Sequence, residues 1–220
     1  MMKSRLAGVV CACILTLSTL TANAAGIITL PNGFDLYNTG IDVVTGVDQR
    51  YLVDGGTAFL NSESYLSPNN TDSAWLGPNA TGGATINITY DLTTGIDLSG
   101  IDVSIFSLSG FWISDNEGVD ILVNGSSTGQ TNTGFHSDLP DAFADNAFSL
   151  SGADGLIAGL NTITFRWGNG PNFGGSIVSP DPTHVRVQFS GFSVVPIPAA
   201  GWLFGSGLLG LIGVARHKKA

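Results

Sequence analysis

No stretch between residue 25 and residue 194 keeps apolar side chains at helical spacing for the length of a helix. Runs rich in β-branched and aromatic residues recur instead, at residues 84–91 (ATINITYD), 101–108 (IDVSIFSL), 119–123, 162–167 and 184–189. Mostly alternating apolar and polar side chains, they read as strands with one face buried. Clusters of Gly, Asn, Asp, Ser and Pro separate them, as turns require. This pattern predicts an all-β domain, a β-sandwich, with the Pro/Gly/Asn-rich segments 69–79 and 168–181 as long loops at one rim. No internal repeat points to a solenoid or propeller. Residues 25–70 carry runs too short and interrupted to assign.

Both ends of the chain are of a different kind. Lys3 and Arg5 precede an apolar stretch from Leu6 to Leu20, and Ala22-Asn23-Ala24 forms an A-x-A site. A signal peptide over residues 1–24, cut by signal peptidase after Ala24, is the expectation. It carries away Cys11 and Cys13, the only cysteines, so the remaining chain has no disulfide or thiol chemistry. A lipoprotein reading fails because no Leu-x-Gly/Ala-Cys box precedes either cysteine. At the other end, residues 199–215 hold no charge, and counting from Val194 gives 22 residues before Arg216, Lys218 and Lys219. At 1.5 Å per residue that span crosses a hydrocarbon core about 30 Å thick. The basic cluster stays on the cytoplasmic side. The organisation predicted is a signal peptide (1–24), a sandwich ectodomain (25–194) and a tail (195–220) with a transmembrane helix at about 199–215 and a basic end at 216–219.

Val195, Pro196, Ile197, Pro198, Ala199 and Ala200, followed by the apolar span and basic end, resemble the C-terminal sorting signal of PEP-CTERM proteins in its VPLPA-type variant, with Ile197 where the name-giving form has Glu. The resemblance implies export, membrane anchoring through the tail before processing, recognition by an exosortase, and a final place at the cell surface or in an extracellular matrix. It also implies company with exopolysaccharide. A second resemblance lies in the middle of the chain. Residues 114–125 (SDNEGVDILVNG), 156–165 (LIAGLNTITF) and 186–191 (RVQFSG) are similar to segments of galactose-binding-like jelly rolls, which host sugar binding, protein binding or pure architecture.

Charge narrows the partners. All 17 carboxylates lie between Asp35 and Asp181, and Arg50, Arg166 and Arg186 are the only cations besides the histidines in residues 25–194, so that region carries −14. Nucleic acid and anionic lipid headgroups are repelled. Neutral ligands, cationic ligands and divalent cations remain, as does an acidity that serves solubility alone. Sugar binding would use indole faces beside polar groups that fix hydroxyls. Trp75 and Trp167, in loop-like surroundings, are the stacking candidates, with Asp115, Asn116 and Arg166 as polar partners; the alternative is that these tryptophans pack the core, as Trp112 is expected to do. No cofactor is expected beyond a structural Ca²⁺, which galactose-binding-like sandwiches often carry. Asp115, Glu117 and Asp120 form one candidate ligand set and Asp138, Asp141 and Asp145 another, neither with EF-hand spacing. Zinc is disfavoured, since only His136 and His184 are available in the ectodomain.

Enzyme signatures fail on context. Gly125-Ser126-Ser127-Thr128-Gly129 matches G-x-S-x-G, but no helix can follow Ser127 in QTNTG, and nothing in the sequence sets His136 and Asp138 beside it. The expectation is a non-enzymatic envelope or matrix protein that binds exopolysaccharide. A structural matrix protein with no specific ligand is the alternative, and a secreted hydrolase the more remote one.

Overall fold

The computed structural model describes residues 26–62, 69–132, 134, 146–175 and 177–194. The expected signal peptide and sorting tail, His136 and the aspartates at 138, 141 and 145 lie outside the described residues. Among those described, no helix is long and apolar enough to cross a membrane.

The described residues are built mainly from strands. They run β1 (Ile27–Thr29), β2 (Asp35–Tyr37), β3 (Val43–Val44), β4 (Val47–Val53), β5 (Gly56–Asn61), β6 (Trp75–Gly77), β7 (Gly83–Ala84) and β8 (Ile88–Asp97). After these come β9 (Phe106–Asp115), β10 (Gly118–Val123), β11 (Ser126–Ser127), β12 (Ala147–Ser151), β13 (Leu160–Asn169), β14 (Asp181–Pro182) and β15 (His184–Val194). Eleven form one antiparallel sheet in the order β11-β10-β13-β8-β4-β5-β6-β15-β9-β12, with β3 attached to β4. Two small ribbons, β1-β2 and β14-β7, complete the set.

This sheet folds back on itself. Six steps of hydrogen bonding separate β13 from β9 in the strand order, a distance of about 29 Å on a flat sheet with strands about 4.8 Å apart. Yet Trp112 of β9 and Phe165 of β13 have ring centroids 5.5 Å apart. Phe148 of β12 meets Phe165 at the same separation, and Phe189 of β15 lies 6.3 Å from it. Two half-sheets therefore face each other across an aromatic core, as in a β-sandwich. The fold line runs through the β4-β5 hairpin, where the register slips between Val47 and Leu52 and where β4 pairs with β8 in register at Leu52 and Val53 alone.

Alternation explains which side chains fill the core. On β13, Asn161, Ile163, Phe165 and Trp167 are buried, while Thr162, Thr164 and Arg166 are not. On β8, Tyr90, Leu92, Thr94 and Ile96 point inward by the same period of two. Turn chemistry agrees: Asp54-Gly55 and Asn124-Gly125 carry positive φ at both positions, +49° and +73° in the first and +51° and +80° in the second. That is the type I′ geometry that closes a two-residue hairpin.

The strands expected at 119–123, 162–167 and 184–189 fall inside β10, β13 and β15. The run at 84–91 is divided, since Asn87 at φ +59° separates β7 from β8. The run at 101–108 requires correction. There β9 begins only at Phe106, because Asp102 accepts from Ser104 N and Ser104 Oγ and its carbonyl accepts from Ile105 N, which bends the chain into a turn. Segment 69–79 is likewise not all loop, since it contains β6 between β5 and β15.

Candidate functional site

The tryptophans proposed as stacking platforms are inside the protein. Trp75 and Trp167 are 0% exposed and Trp112 1%. Trp75 sits in β6, opposite Asn61 of the neighbouring strand, and Trp167 continues the inward series of β13. The pleat, not the loop-like local sequence, decides where each ring points. Trp167 Nε1 donates to Thr183 Oγ1 at 2.7 Å, and Thr183 Oγ1 in turn donates to the Asp115 carbonyl at 2.9 Å. Tyr90 packs on Trp167 with centroids 5.5 Å apart.

Asp115 and Asn116 join this buried network rather than a surface site. Asp115 Oδ1 accepts from Asn116 Nδ2 at 2.8 Å, and Asn116 Oδ1 accepts from Gly170 N at 2.9 Å. Nearby, Asn132 Oδ1 gathers Ser114 Oγ, Gly118 N and Gly134 N. These amides tie the 115–118 connection to the loops around Asn132 and Gly170, and only Asn132 Nδ2 among them is buried without a partner. Arg166 is separate: it lies on the outer face and forms a two-pronged pair with Asp91, both distances 2.7 Å. The Ca²⁺ set of Asp115, Glu117 and Asp120 is not brought together either. Asp115 is buried at the end of β9, Glu117 is exposed, and Asp120 stands in register with the outward Arg166. Among the described residues, no three His, Cys, Asp or Glu side chains converge to hold a metal ion. Ser127 lies in β11, paired with Leu122 of β10.

A different site opens away from this network, lined mostly by residues of the region the sequence left unassigned. Phe34, Asp35, Leu36 and Tyr37 from β2 and its approach, Gln49 and Arg50 from β4, and Thr94 and Gly95 from β8 line a groove of about 240 Å³. Its walls are held by backbone contacts. Asp48, buried beneath, accepts from Gly40 N, Arg50 N and Tyr51 N, at 2.7, 2.7 and 3.1 Å. Burial still raises its pKa above the usual carboxylate value, because desolvation outweighs those three hydrogen bonds. Tyr51 Oη donates to the Tyr37 carbonyl at 2.7 Å and Thr94 Oγ1 to the Arg50 carbonyl at 3.1 Å.

Within the groove, the Arg50 guanidinium carbon lies 4.2 Å from the centre of the Tyr37 ring. Its Nε is bound to Asp42 Oδ2 at 2.6 Å, and this hydrogen bond raises the pKa of the arginine further. The pair is exposed, so its worth is at most about 1 kcal/mol. Its role is to set the guanidinium over the ring. Asp35 is exposed and accepts from Thr29 Oγ1 at 2.7 Å through Oδ1. Gln49 is exposed and its amide reaches the Val47 carbonyl at 3.0 Å. A half-buried aromatic ring, an amide, a carboxylate and a guanidinium around one groove suit a polyhydroxylated ligand, whose hydroxyls need both donors and acceptors. The one local sign of this site was Asp48-Gln49-Arg50-Tyr51, a polar run inside a strand. No family model matches the chain, and neither a curated protein nor a solved structure shows significant similarity to it.

Proposed function

We propose that this chain is an exported, non-enzymatic protein of the cell envelope or extracellular matrix that binds exopolysaccharide. Export rests on the signal-peptide pattern ending at Ala24 and on the tail from Val195 to Lys219, which would be read by an exosortase. The two facing half-sheets with antiparallel pairing are compatible with a jelly roll of the galactose-binding-like kind. The observation that carries the binding role is the groove of about 240 Å³ with Tyr37, Gln49, Arg50 and Asp35 on its walls.

A structural matrix role is the second reading. The burial of Trp75, Trp112 and Trp167 favours it, since the described surface offers no indole platform. Titration of the full chain, purified in a neutral detergent, with soluble polysaccharides separates the two. Saturable binding lost in Tyr37→Ala supports the binder. Absence of binding to every polymer, including the producer's own matrix, leaves the structural role.

A further inference from the structure

We infer that the groove takes a cationic amino-sugar chain, a polysaccharide whose glucosamine-type residues carry free ammonium groups; this rests on the polysaccharide-binding reading and narrows it. The first observation concerns what solvent meets on this domain. Residues 25–194 contain 17 carboxylates, three arginines and no lysine. All three arginines are already engaged: Arg50 on Asp42 at 2.6 Å, Arg166 on Asp91 at 2.7 Å, and Arg186 inside the protein at 1% exposure. The potential around the domain is therefore negative, and a polymer of uronic acids would be repelled on approach.

The second observation is local. Among the described residues, Arg50 is the one cation lining the groove, and its charge is balanced by Asp42. The net charge left on the groove wall is that of Asp35, exposed, with one hydrogen bond, from Thr29 Oγ1 to Oδ1. An ammonium group held against this carboxylate forms a charge-assisted hydrogen bond, while the sugar's hydroxyls meet the Gln49 amide and the backbone at Gly95. Tyr37, which lines the groove, carries the Arg50 guanidinium over its ring at 4.2 Å, so the ring is fixed in place as a wall against which a sugar can lie. A polymer repeats the ammonium along its length, so weak individual contacts combine into useful affinity.

Four hexamers test this against the full chain in neutral detergent at pH 6: glucosamine, N-acetylglucosamine, neutral β-glucose and galacturonate. The glucosamine hexamer should bind about tenfold or more tighter than the acetylated and neutral ones, the galacturonate hexamer least. Asp35→Asn, which keeps the Thr29 contact, should weaken glucosamine-hexamer binding about tenfold. Glu117→Gln, an equal charge change at an exposed site away from the groove, should change it less than about twofold. Binding should fade as pH rises and the amines lose their protons. Equal or tighter binding of the neutral, acetylated or acidic hexamers overturns the cationic assignment and leaves polysaccharide binding standing. Equal effects of the Asp35 and Glu117 variants also overturn it, since attraction would then be unlocalised. Failure of all four to bind removes both readings.

Discussion

His184 Nδ1 lies 3.7 Å from Asp115 Oδ2, with both side chains buried at the point where β15 and β9 begin and end their shared register. Neither ring nitrogen of His184 has a hydrogen-bond partner. Thr183, the neighbour of His184, bridges Trp167 Nε1 and the Asp115 carbonyl and so closes the interior beside this pair with polar contacts.

Thr183→Val tests that closure. The substitution keeps the shape but leaves the Trp167 N–H and the Asp115 carbonyl without their partner, both in the interior. A loss of about 1–3 kcal/mol is expected, measured as a lowered midpoint in urea unfolding. A serine in the same place should recover most of it.

Burial of the indoles makes a spectroscopic prediction. In a Trp202→Phe background, emission from Trp75, Trp112 and Trp167 should be blue-shifted and poorly quenched by acrylamide, and saturating polysaccharide should leave it unchanged. Strong quenching by sugar would place a tryptophan at the ligand. Trp112→Ala should cost about 3–5 kcal/mol through the cavity it leaves against Phe165.

Groove variants should separate affinity from stability. Tyr37→Ala and Arg50→Ala are each expected to weaken polysaccharide binding by about 1–3 kcal/mol, read by calorimetric titration. Arg50→Lys should not rescue, because a point charge cannot both pair with Asp42 and lie flat over the ring.

Asp48 gives a pH dependence of defined sign. Its pKa in the folded protein is raised by burial above the unfolded value of 3.8, so folding favours the protonated acid. Its contribution to stability therefore grows as pH falls through the raised folded pKa and levels off below 3.8. Asp48→Asn lacks this titration. The wild-type melting temperature should gain on that of the variant as pH falls through this window, and a constant difference would count against the assignment.

If the tail anchors the protein as proposed, replacing Arg216, Lys218 and Lys219 together by neutral residues should abolish retention in the membrane fraction, because a basic end would stop the apolar span from passing through. Cell fractionation with an antibody to the ectodomain reads this directly.

How far the sequence reaches can be followed residue by residue. The β13 series of Ile163, Phe165 and Trp167 is legible because alternation is a local property, and Asn124-Gly125 announces its turn for the same reason. β9 was displaced because one side chain, Asp102, outcompetes strand propensity over the next few residues. Trp75 was misread because its neighbours Gly77, Pro78 and Asn79 look like loop, whereas pairing of Leu76 with Val185, far away in the chain, makes it a strand. The groove was invisible for a deeper reason. Tyr37, Arg50 and Gly95 meet only when β2 is laid beside β4 and β8, and no local pattern encodes that meeting.

The last strand has a mechanical consequence. β15 is not an edge: it lies between β6 and β9, with its partners on β9 running from His184 opposite Asp115 to Val194 opposite Phe106. A pull on Val194 directed along β15 would load these cross-strand bonds together in shear instead of opening them one by one. Loaded that way, the strand holding the C-terminal end would be among the most resistant of the sheet, because it is paired on both sides.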